Sequence, residues 1–407
     1  MHASSSSPCP IPWRPDRSRT GRRLAALGLV AGIVLAAVPA VAQDVIAIEN
    51  DEVADVLARD PAGYWTPQEL RSADLLPLPE PEGTLQEMME RVESLEEAAV
   101  EAPTRVEQGA TPAGAAEVPP DMADRLFPGT AGPTPEAAML ESGGGFDIMN
   151  LGTSGAYFSS SRLVPTDARL HYPYRANGKL FFEQPGVGSF ICSGAVIAPR
   201  LILTAGHCVH RGSGGSNGFY RRFLFVPAYH QGQAPYQAWN WRWVITTPSW
   251  ASGNGNVPNA ADLAIIEVED RKFDSEVKRI GDVTGWFGFR TNALMPNHTK
   301  KIGYPGNHDG GEIMHQVDSQ SFEAGGANTV LYGSDMRGGS SGGSWIENFG
   351  VQASGQTGGL QPTPNRVVGV TSYGFVSTTP LVQGSSILGQ EFLDLRNAAC
   401  AHRPGNC

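Results

Sequence analysis

Short apolar runs, separated by turns rich in Gly, Pro and Asn, dominate the second half of the chain. Runs of this length bounded by turn residues are typical of β-strands rather than helices. Two short strands are predicted around a turn at Ala198-Pro199-Arg200. Further strands are predicted at 179–183, 223–227, 241–246, 263–268, 301–304, 342–346 and 367–372. The pattern therefore predicts an all-β barrel or sandwich.

Helical periodicity is confined to two segments. Residues 385–399 form a predicted C-terminal helix, with apolar side chains at Ile387, Leu388, Phe392 and Leu395. In the first half, Thr84-Leu85-Gln86-Glu87 has the pattern of a capping box, and apolar positions recur at helical spacing as far as Ala99. We expect a single acidic amphipathic helix there, with low-complexity flanks.

Charge divides the chain into two unlike parts. Residues 44–150 carry 23 acidic and 5 basic side chains, a balance of −18, whereas residues 151–407 carry 17 acidic and 20 basic, a balance of +3. The first part is also rich in Pro and Ala and poor in aromatics, which is typical of weak independent folding. We therefore predict a largely disordered acidic pro-region or linker at 43–162 and a folded domain at 163–407. The pro-region either covers a groove before activation or is a solvated spacer. Because the whole chain carries −11, nucleic acid is not an expected partner.

Residues 1–42 have the organisation of a signal peptide. Five arginines between Arg14 and Arg23 precede the apolar run 24–38, and Ala40-Val41-Ala42 offers a small-x-small cleavage site. A membrane anchor is the alternative, but a span needs about 20 apolar residues. We predict cleavage, a secreted or periplasmic protein, and no stable membrane span afterwards.

The segment 338–344 places two serines among four glycines. Dense glycine allows a tight turn and brings backbone N–H groups close to a ligand. A serine there can be a nucleophile, with nearby N–H groups stabilising the oxyanion. A flexible Gly/Ser linker is the alternative interpretation.

Two upstream segments favour the nucleophile. Thr204-Ala205-Gly206-His207-Cys208 ends a predicted strand, and Asp262 heads the apolar run 263–266. With the Gly/Ser segment, they resemble the chymotrypsin-like (trypsin-fold) serine peptidases in the chain order His, Asp, Ser. The resemblance covers roughly residues 163–399. It implies two six-stranded antiparallel β-barrels with the site between them.

The resemblance also implies a role for each residue. His207 is the general base, Asp262 accepts the other ring N–H, and Ser341 is the nucleophile. The backbone N–H groups of Gly339 and Ser341 form the oxyanion hole. We expect a monomeric serine endopeptidase that acts on proteins or peptides through an acyl-enzyme and needs no cofactor.

Several alternatives to this hypothesis are compatible with parts of the sequence. Glu267, Glu269 and Asp270 are weaker candidates for the acid because they follow the apolar run. Ser340 fits the Gly-x-Ser-x-Gly pattern of α/β-hydrolase esterases, but that fold needs a later histidine, and only His402 follows. A catalytically silent, peptidase-like binding protein is the other alternative. The remaining histidines, His308 and His315, lack diagnostic metal spacing and are expected in solvated loops.

Finer motifs resemble the bacterial V8-like, or glutamyl-endopeptidase-like, branch. They are Gly303-Tyr304-Pro305-Gly306, Val226-Pro227-Ala228-Tyr229 and Ala234-Pro235-Tyr236. Leu163-Val164-Pro165 resembles the mature N-terminus of that branch, so processing is predicted near Arg162, with Arg169 the second candidate. Animal trypsins carry Asp where this chain has Ser340, so activation through an ion pair with that Asp is not available here.

Specificity is predicted from the pocket positions. Ser372, Tyr373 and Gly374 resemble the strand that pairs with the substrate backbone and walls the primary pocket. Asp335 falls where the pocket floor lies and would favour Arg or Lys, unless Arg337 neutralises it. Glutamyl members carry Thr or Ser and a histidine where this chain has Met336 and Thr371, so the resemblance does not extend to glutamate specificity.

Four cysteines remain once Cys9 leaves with the signal peptide. The resemblance pairs Cys192 with Cys208, which leaves Cys400 and Cys407 to pair. The first bridge would close about 15 residues, a stabilisation of roughly 3 kcal/mol. A zinc site is the alternative, but the spacing that such sites need is absent.

Overall fold

A computed structural model describes residues 45–51, 65–94, 104–112, 124–125, 154–273, 276–352, 361–375 and 380–407. The predicted signal peptide lies outside these ranges. The strands are β1 (Ile46–Glu49), β2 (Asp74–Leu75), β3 (Val106–Glu107), β4 (Asp124–Arg125), β5 (Phe158–Arg162), β6 (Asn177–Gln184), β7 (Gly188–Ala198), β8 (Leu201–Thr204), β9 (Arg221–Pro227), β10 (Gln233–Ala234), β11 (Trp239–Thr246), β12 (Ala264–Val268), β13 (Arg271–Phe273), β14 (Glu276–Lys278), β15 (Gly288–Arg290), β16 (His298–Gly303), β17 (His315–Gly326), β18 (Thr329–Gly333), β19 (Ser344–Glu347), β20 (Arg366–Val370), β21 (Tyr373–Phe375) and β22 (Val382–Ser386). The α-helices are α1 (Pro67–Arg71), α2 (Leu85–Ser94), α3 (Pro248–Ser252), α4 (Ile280–Thr284) and α5 (Gln390–His402).

The first barrel consists of six antiparallel strands. They follow the order β6-β7-β8-β12-β11-β9, and β9 pairs back with β6 to close the barrel. Side chains on one face of each strand fill the interior, as in other small barrels. Leu180, Phe225 and Ile265 are almost completely buried there. The predicted mostly-β fold with a closed, six-stranded antiparallel barrel is therefore confirmed.

The second barrel holds the Gly/Ser segment. Its strands follow the order β19-β16-β17-β18-β22, and β20 pairs with the other side of β19. β20 leads through Thr371 and Ser372 into β21, which pairs with β22, so the path returns to its start. The two barrels together provide the architecture that the sequence predicted.

The described strands of the predicted pro-region pair with strands of the domain at 163–407 and not with one another. β1 pairs with β11, β2 with β7, β3 with β15 and β4 with β10. The helix α2 packs against the second barrel through Leu85 and Met88. Weak independent folding, which the composition predicted, agrees with this dependence on the following domain.

Most of the predicted elements lie where the hydrophobic pattern placed them. Every predicted strand overlaps an observed one, and Thr84 and Glu87 form the expected reciprocal capping bonds at α2. The C-terminal helix was predicted to begin too early, because residues 385 and 386 belong to the buried strand β22 and α5 begins only at Gln390.

Both predicted disulfides are confirmed. Cys192 is bonded to Cys208 and Cys400 to Cys407. The first bridge joins β7 to the turn that carries His207, and the second closes the chain beyond α5. Among the described residues, no helix is both long and apolar enough to cross a membrane.

Candidate active site

Three loops carry the predicted catalytic side chains. His207 lies in a 3-10 turn, Gly206–Cys208, directly after β8. Asp262 lies just before β12, in the same barrel, and is fully buried. Ser341 lies between β18 and β19 of the second barrel. The ends of strands from both barrels therefore contribute to one site.

Asp262 is the hydrogen-bond acceptor at the centre of the site. Its Oδ1 accepts the backbone N–H of His207 at 2.7 Å, and its Oδ2 lies 2.8 Å from the Nδ1 of the same histidine. The Ser372 hydroxyl donates to Oδ2 at 2.5 Å. The carboxylate thus fixes both the backbone and the ring of His207, and it leaves Nε2 as the nitrogen that faces away from Asp262.

Ser341 lies on a loop that packs closely against the His207 side of the site. Its carbonyl accepts the backbone N–H of Ser193, at 2.8 Å. Gly342 has φ +75°, and a Cβ at this position would lie 2.0 Å from the Oγ1 of Thr204. Only glycine allows this approach. The Ser341 hydroxyl and His207 Nε2 are both buried and have no hydrogen-bond partner among the described residues.

The neighbouring Ser340 is engaged in structure rather than exposed for chemistry. Its hydroxyl donates to the Arg337 carbonyl at 2.7 Å and accepts from the Gln383 amide at 3.0 Å. The same amide donates to the Met336 carbonyl at 2.8 Å, and the Gln383 oxygen accepts from Ser334. Gln383 therefore fastens the loop ahead of Ser341, a role that sequence analysis missed because nothing local marks this glutamine.

Gly339 presents its N–H to the groove. Its φ is +88°, a left-handed conformation that favours glycine, and its carbonyl accepts from the Ser193 hydroxyl at 2.9 Å. The Gly339 N–H donates to the carbonyl of Leu76, at 3.0 Å. A residue of the predicted pro-region thus accepts a hydrogen bond from one of the two N–H groups that are predicted to form the oxyanion hole.

The predicted pocket residue Asp335 is buried in a polar cluster. Its Oδ1 accepts from the Ser160 hydroxyl at 2.6 Å, and its Oδ2 lies 3.1 Å from His308 Nε2. Ser160 also lies 2.7 Å from His315 Nε2. The expectation that His315 lies in a solvated loop is wrong, because it starts β17 and is only 5% exposed. Arg337, considered as a neutralising partner, is exposed and donates its backbone N–H to Asn307.

Burial and hydrogen bonding act in opposite directions on this cluster. Burial alone would raise the pKa of Asp335, but hydrogen bonds from His308 and Ser160 outweigh it and lower the pKa to about 2. Burial and the neighbouring His308 lower the pKa of His315 to about 3. Asp335 is therefore an anion, and His315 is neutral, at any pH near neutrality.

The same cluster has the residue types of a metal site. His308, His315 and Asp335 offer ligand atoms that lie within 4.8 Å of one another. However, the two imidazole rings stack in parallel, 2° apart in orientation and 4.1 Å between centroids. Lone pairs in two parallel planes do not converge on one ion at about 2.0–2.1 Å. Cys192 and Cys208, which lie near His207, are tied up in their disulfide.

The predicted substrate-binding strand lies beside the site. The Ser372 backbone N–H bonds to Gly384 on β22, and the Gly374 N–H donates to the Pro79 carbonyl at 3.0 Å. The Tyr373 side chain is fully buried and its hydroxyl lies 2.7 Å from that of Thr329. The Tyr373 ring is therefore part of the core of the second barrel, and the backbone contact with Pro79 comes from Gly374.

The weaker candidates lie elsewhere. Glu267 bonds to His402 and Asn406, Glu269 to Arg242, and Asp270 to Arg200, all at the far end of β12. The α/β-hydrolase alternative is excluded because the fold consists of two antiparallel barrels. In addition, His402, the histidine that this alternative needs, bonds to Glu267 at the far end of β12.

The predicted processing site is part of the folded structure. Arg162 ends β5, pairs with His315 across the strands and forms an ion pair with Asp309. The Leu163 N–H bonds to Met314, and its side chain is 2% exposed. Arg169, the second candidate, is also buried. Cleavage after Arg162 would therefore first require β5 to open.

The chain is similar to several known proteins. The family model described as Trypsin matches residues 166–394, more than half of the chain. A glutamyl endopeptidase of Bacillus licheniformis is 29% identical over 164 residues, which cover 38% of this chain and 46% of that protein. An extracellular metalloprotease of Bacillus subtilis is 24% identical over 148 residues, 33% of this chain and 42% of that protein.

The chain thus spans less than half the length of these curated relatives. Among solved structures, a thermostable serine protease, AL20, from an extremophilic microorganism is 25% identical. The similarity covers 59% of this chain and all of that one, with a TM-score of 0.48.

Proposed function

This chain belongs to the trypsin family, and on that premise we propose that it is a secreted serine endopeptidase with His207, Asp262 and Ser341 as its catalytic triad. The observation that carries the proposal is the buried Asp262–His207 pair, which orients the histidine while His207 Nε2 and the Ser341 hydroxyl stay without hydrogen-bond partners among the described residues. An oriented base and an unengaged hydroxyl are what nucleophilic catalysis needs.

In the first half of the reaction, Ser341 Oγ attacks the scissile carbonyl carbon while His207 Nε2 takes the serine proton. The carbonyl π electrons move to oxygen, and the N–H groups of Gly339 and Ser341 stabilise the resulting oxyanion. His207 then gives its proton to the leaving amine as the C–N bond breaks, leaving an acyl-enzyme on Ser341. Asp262 stabilises the imidazolium throughout.

In the second half, water replaces the amine. His207 takes a proton from the water as its oxygen attacks the ester carbon, and returns that proton to Ser341 Oγ as the ester bond breaks. The acid product leaves and the enzyme is restored. Neither half requires a metal or an organic cofactor.

Secretion and processing complete the proposal. The signal-peptide pattern of residues 1–42 predicts export, and the relatives include a protein named as extracellular. Removal of the pro-region near Arg162 would also remove Ser160, whose hydroxyl donates to Asp335, so that carboxylate would lose one of its donors. The new N-terminus would be Leu163, whose nitrogen bonds to the Met314 carbonyl.

Primary specificity depends on the Asp335 cluster. A basic substrate side chain would have to share a carboxylate that already accepts from Ser160 and His308. Preference for Arg or Lys therefore stays a prediction, and cleavage of a peptide library by the mature form measures it directly.

The test of function uses protein that begins at Leu163, together with the same protein carrying Ser341→Ala. We expect the parent to hydrolyse casein and to react with a fluorophosphonate, with mass spectrometry placing the label on Ser341. Ser340→Ala is the matched control, since it should fold and still accept the label. A well-folded parent that neither cleaves nor reacts would instead support the silent binding protein.

A further inference from the structure

The segment 74–79 runs through the groove between the two barrels. It begins beside β7, where Asp74 and Leu75 pair in parallel with Phe190 and Ile191. It ends at β21, where the Pro79 carbonyl accepts the Gly374 N–H. Between these ends, the Leu76 carbonyl accepts the Gly339 N–H. The segment therefore passes directly over the predicted oxyanion donor.

The fit of this segment to the groove is close. Leu76 and Leu78 are 8% and 7% exposed. A Cβ added at Gly338 would lie 2.7 Å from the Leu76 carbonyl oxygen, and one at Gly374 would lie 2.7 Å from Leu78 Cδ2. The glycines of the site thus receive the segment at distances that any larger residue would obstruct.

The chemistry of the site fixes the direction in which a substrate must run. The leaving amine takes its proton from His207, so residues beyond the cut bond must pass the His207 side, where the Cys192–Cys208 bridge leads to Ile191. Residues before the cut bond must then lie along Ser372–Gly374. A productive substrate therefore runs, in its N-to-C direction, from β21 towards β7.

The segment 74–79 runs the opposite way, from β7 to β21. In this orientation the nitrogen that would leave from the Leu76 carbonyl points along the groove towards Gly374 and away from His207. That nitrogen also belongs to Pro77, so the bond is a tertiary amide. The reversed direction leaves the bond in the oxyanion hole without a proton donor for its leaving group.

Contacts on both sides hold the segment in place. Upstream, the Trp65 indole donates to the Arg222 carbonyl at 2.9 Å, and the Arg222 guanidinium lies 4.6 Å from the centre of the Trp65 ring. Glu69, on α1, forms an ion pair with the same arginine at 3.0 Å. Downstream, Leu85 and Met88 of α2 belong to the same buried cluster as Tyr373 and Phe375.

We propose that residues 74–79 are a built-in inhibitor that blocks the active site by binding in the reverse direction. The segment binds the groove as an extended peptide, yet presents no bond that the site can cut. This inference rests on the proposed peptidase function. The prolines at 77, 79 and 81 favour the extended conformation before docking, which lowers the entropic cost of binding.

The first experiment removes the fit of the segment in the full chain. Leu76→Asp with Leu78→Asp should raise the rate of fluorophosphonate labelling at Ser341 at least tenfold, because a buried carboxylate without a partner disfavours docking. Val106→Asp also replaces an apolar side chain by aspartate, at a position of the same region that is 45% exposed, and should leave the rate unchanged. Mass spectrometry confirms that each chain is uncut when it is assayed.

A synthetic peptide of residues 73–82 tests the same contact without altering the fold. Added to the form that begins at Leu163, it should inhibit peptide hydrolysis competitively and remain uncut after prolonged incubation. The same peptide with aspartate at both leucine positions should not inhibit. Cleavage at Leu76–Pro77, or no inhibition at millimolar peptide, would overturn the proposal.

Direction is tested by disulfide trapping in a full chain carrying Ser341→Ala. Asp74→Cys with Phe190→Cys should cross-link, since these positions are register partners in a parallel pair. Pro79→Cys with Phe190→Cys should not. The reverse result would mean a substrate-like direction and would contradict the inference.

The outcomes separate this inference from the proposed function. If the full chain and the double variant label equally fast, the segment does not inhibit, but the peptidase function stands. If neither the variants nor the form from Leu163 reacts at all, the peptidase function itself fails.

Discussion

Residues 163–407, called the peptidase part, and the predicted pro-region at 43–162 obtain their order in different ways. Strands of the peptidase part pair mainly with each other and enclose a common core, with residues such as Leu180 and Ile265 almost completely buried. The described strands of the pro-region each pair with a peptidase strand, and their buried side chains, such as Trp65, lie against peptidase residues such as Phe181. The strands of the peptidase part pair with one another, whereas the described strands of the predicted pro-region pair with strands of the peptidase part.

This difference indicates which part of the chain can be removed without unfolding the other part. An element whose partners all lie in another domain loses its structure when it dissociates, and that domain keeps its own core. A pro-region built in this way can cover a site and later be discarded. The predictions below test each side of the comparison in turn.

The largest effect is expected within the peptidase part. Asp262→Asn should lower kcat/KM of the mature form about 10⁴-fold, because an amide favours the wrong tautomer of His207. Ser372→Ala removes only one of the hydrogen bonds to Asp262 and should cost far less. Steady-state kinetics on a peptide substrate checks both, and equal losses would show that Asp262 acts only through the Ser372 bond.

The next effect is expected at the junction. Trp65 is 4% exposed, and Trp65→Ala should weaken docking by about 3–5 kcal/mol, the usual cost of removing a large buried side chain. Hydrogen exchange of residues 65–81 in the full chain should then accelerate more than a hundredfold, while the Tm of the peptidase part stays the same. Trp65→Phe is the control and should show a smaller change. A matching fall in Tm would show that the two parts fold as one unit.

Gln383 should show an intermediate effect, confined to catalysis. Gln383→Ala frees the loop that carries Gly339, so kcat should fall on the order of tenfold to a hundredfold, less than the roughly 10²–10³ for loss of an oxyanion donor itself. KM should change little. Gln383→Glu keeps the acceptor for Ser334 but loses both donors, so it should resemble Ala. A change in KM alone would assign Gln383 to the substrate pocket instead.

The smallest effect concerns pH. The hydrogen bond from Arg222, with that of the Thr66 backbone, lowers the pKa of Glu69 from its ordinary 4.5 to about 2. The cation that faces Glu69 is Arg222, which also forms an ion pair with Glu183. A lowered pKa stabilises docking above pH 4.5, and that contribution is lost as pH falls towards 2.

Protection factors of residues 65–81, which correct for the intrinsic exchange rate, should therefore drop a few-fold between pH 6 and pH 3. Glu69→Gln should start lower at pH 6 and lose much of this dependence. An unchanged slope in that variant would place the pH sensitivity elsewhere.

Much of the fold and the site was predictable because the relevant signals are local. The strand pattern of a buried run such as 263–266 can be recognised from adjacent residues alone. The motif around His207 is likewise recognisable without reference to distant residues. Some polar strands were not predictable in the same way. β17 (His315–Gly326) has few apolar positions, and its pairing with β5, β16 and β18 supplies the order that its own pattern lacks.

Features formed by distant residues were missed for the same reason. His308 and His315 carry no recognisable spacing, yet the fold stacks their rings and directs His308 to Asp335. Gln383 and Ser340 are 43 residues apart. The stretch 75–81 has neither helical nor strand periodicity, since its prolines favour an extended chain whose partner is a groove formed by the later domain.

Because Leu76 is part of the same chain as the groove, its segment is present there at a high local concentration. While the segment is joined to the enzyme, it faces the groove at an effective concentration that is typically millimolar for a short flexible link. A single cut in the intervening chain turns this into an ordinary encounter between two molecules. In a large volume the freed segment is diluted, so weak binding no longer suffices. Dilution itself would then make activation irreversible, even if every contact in the groove stayed the same.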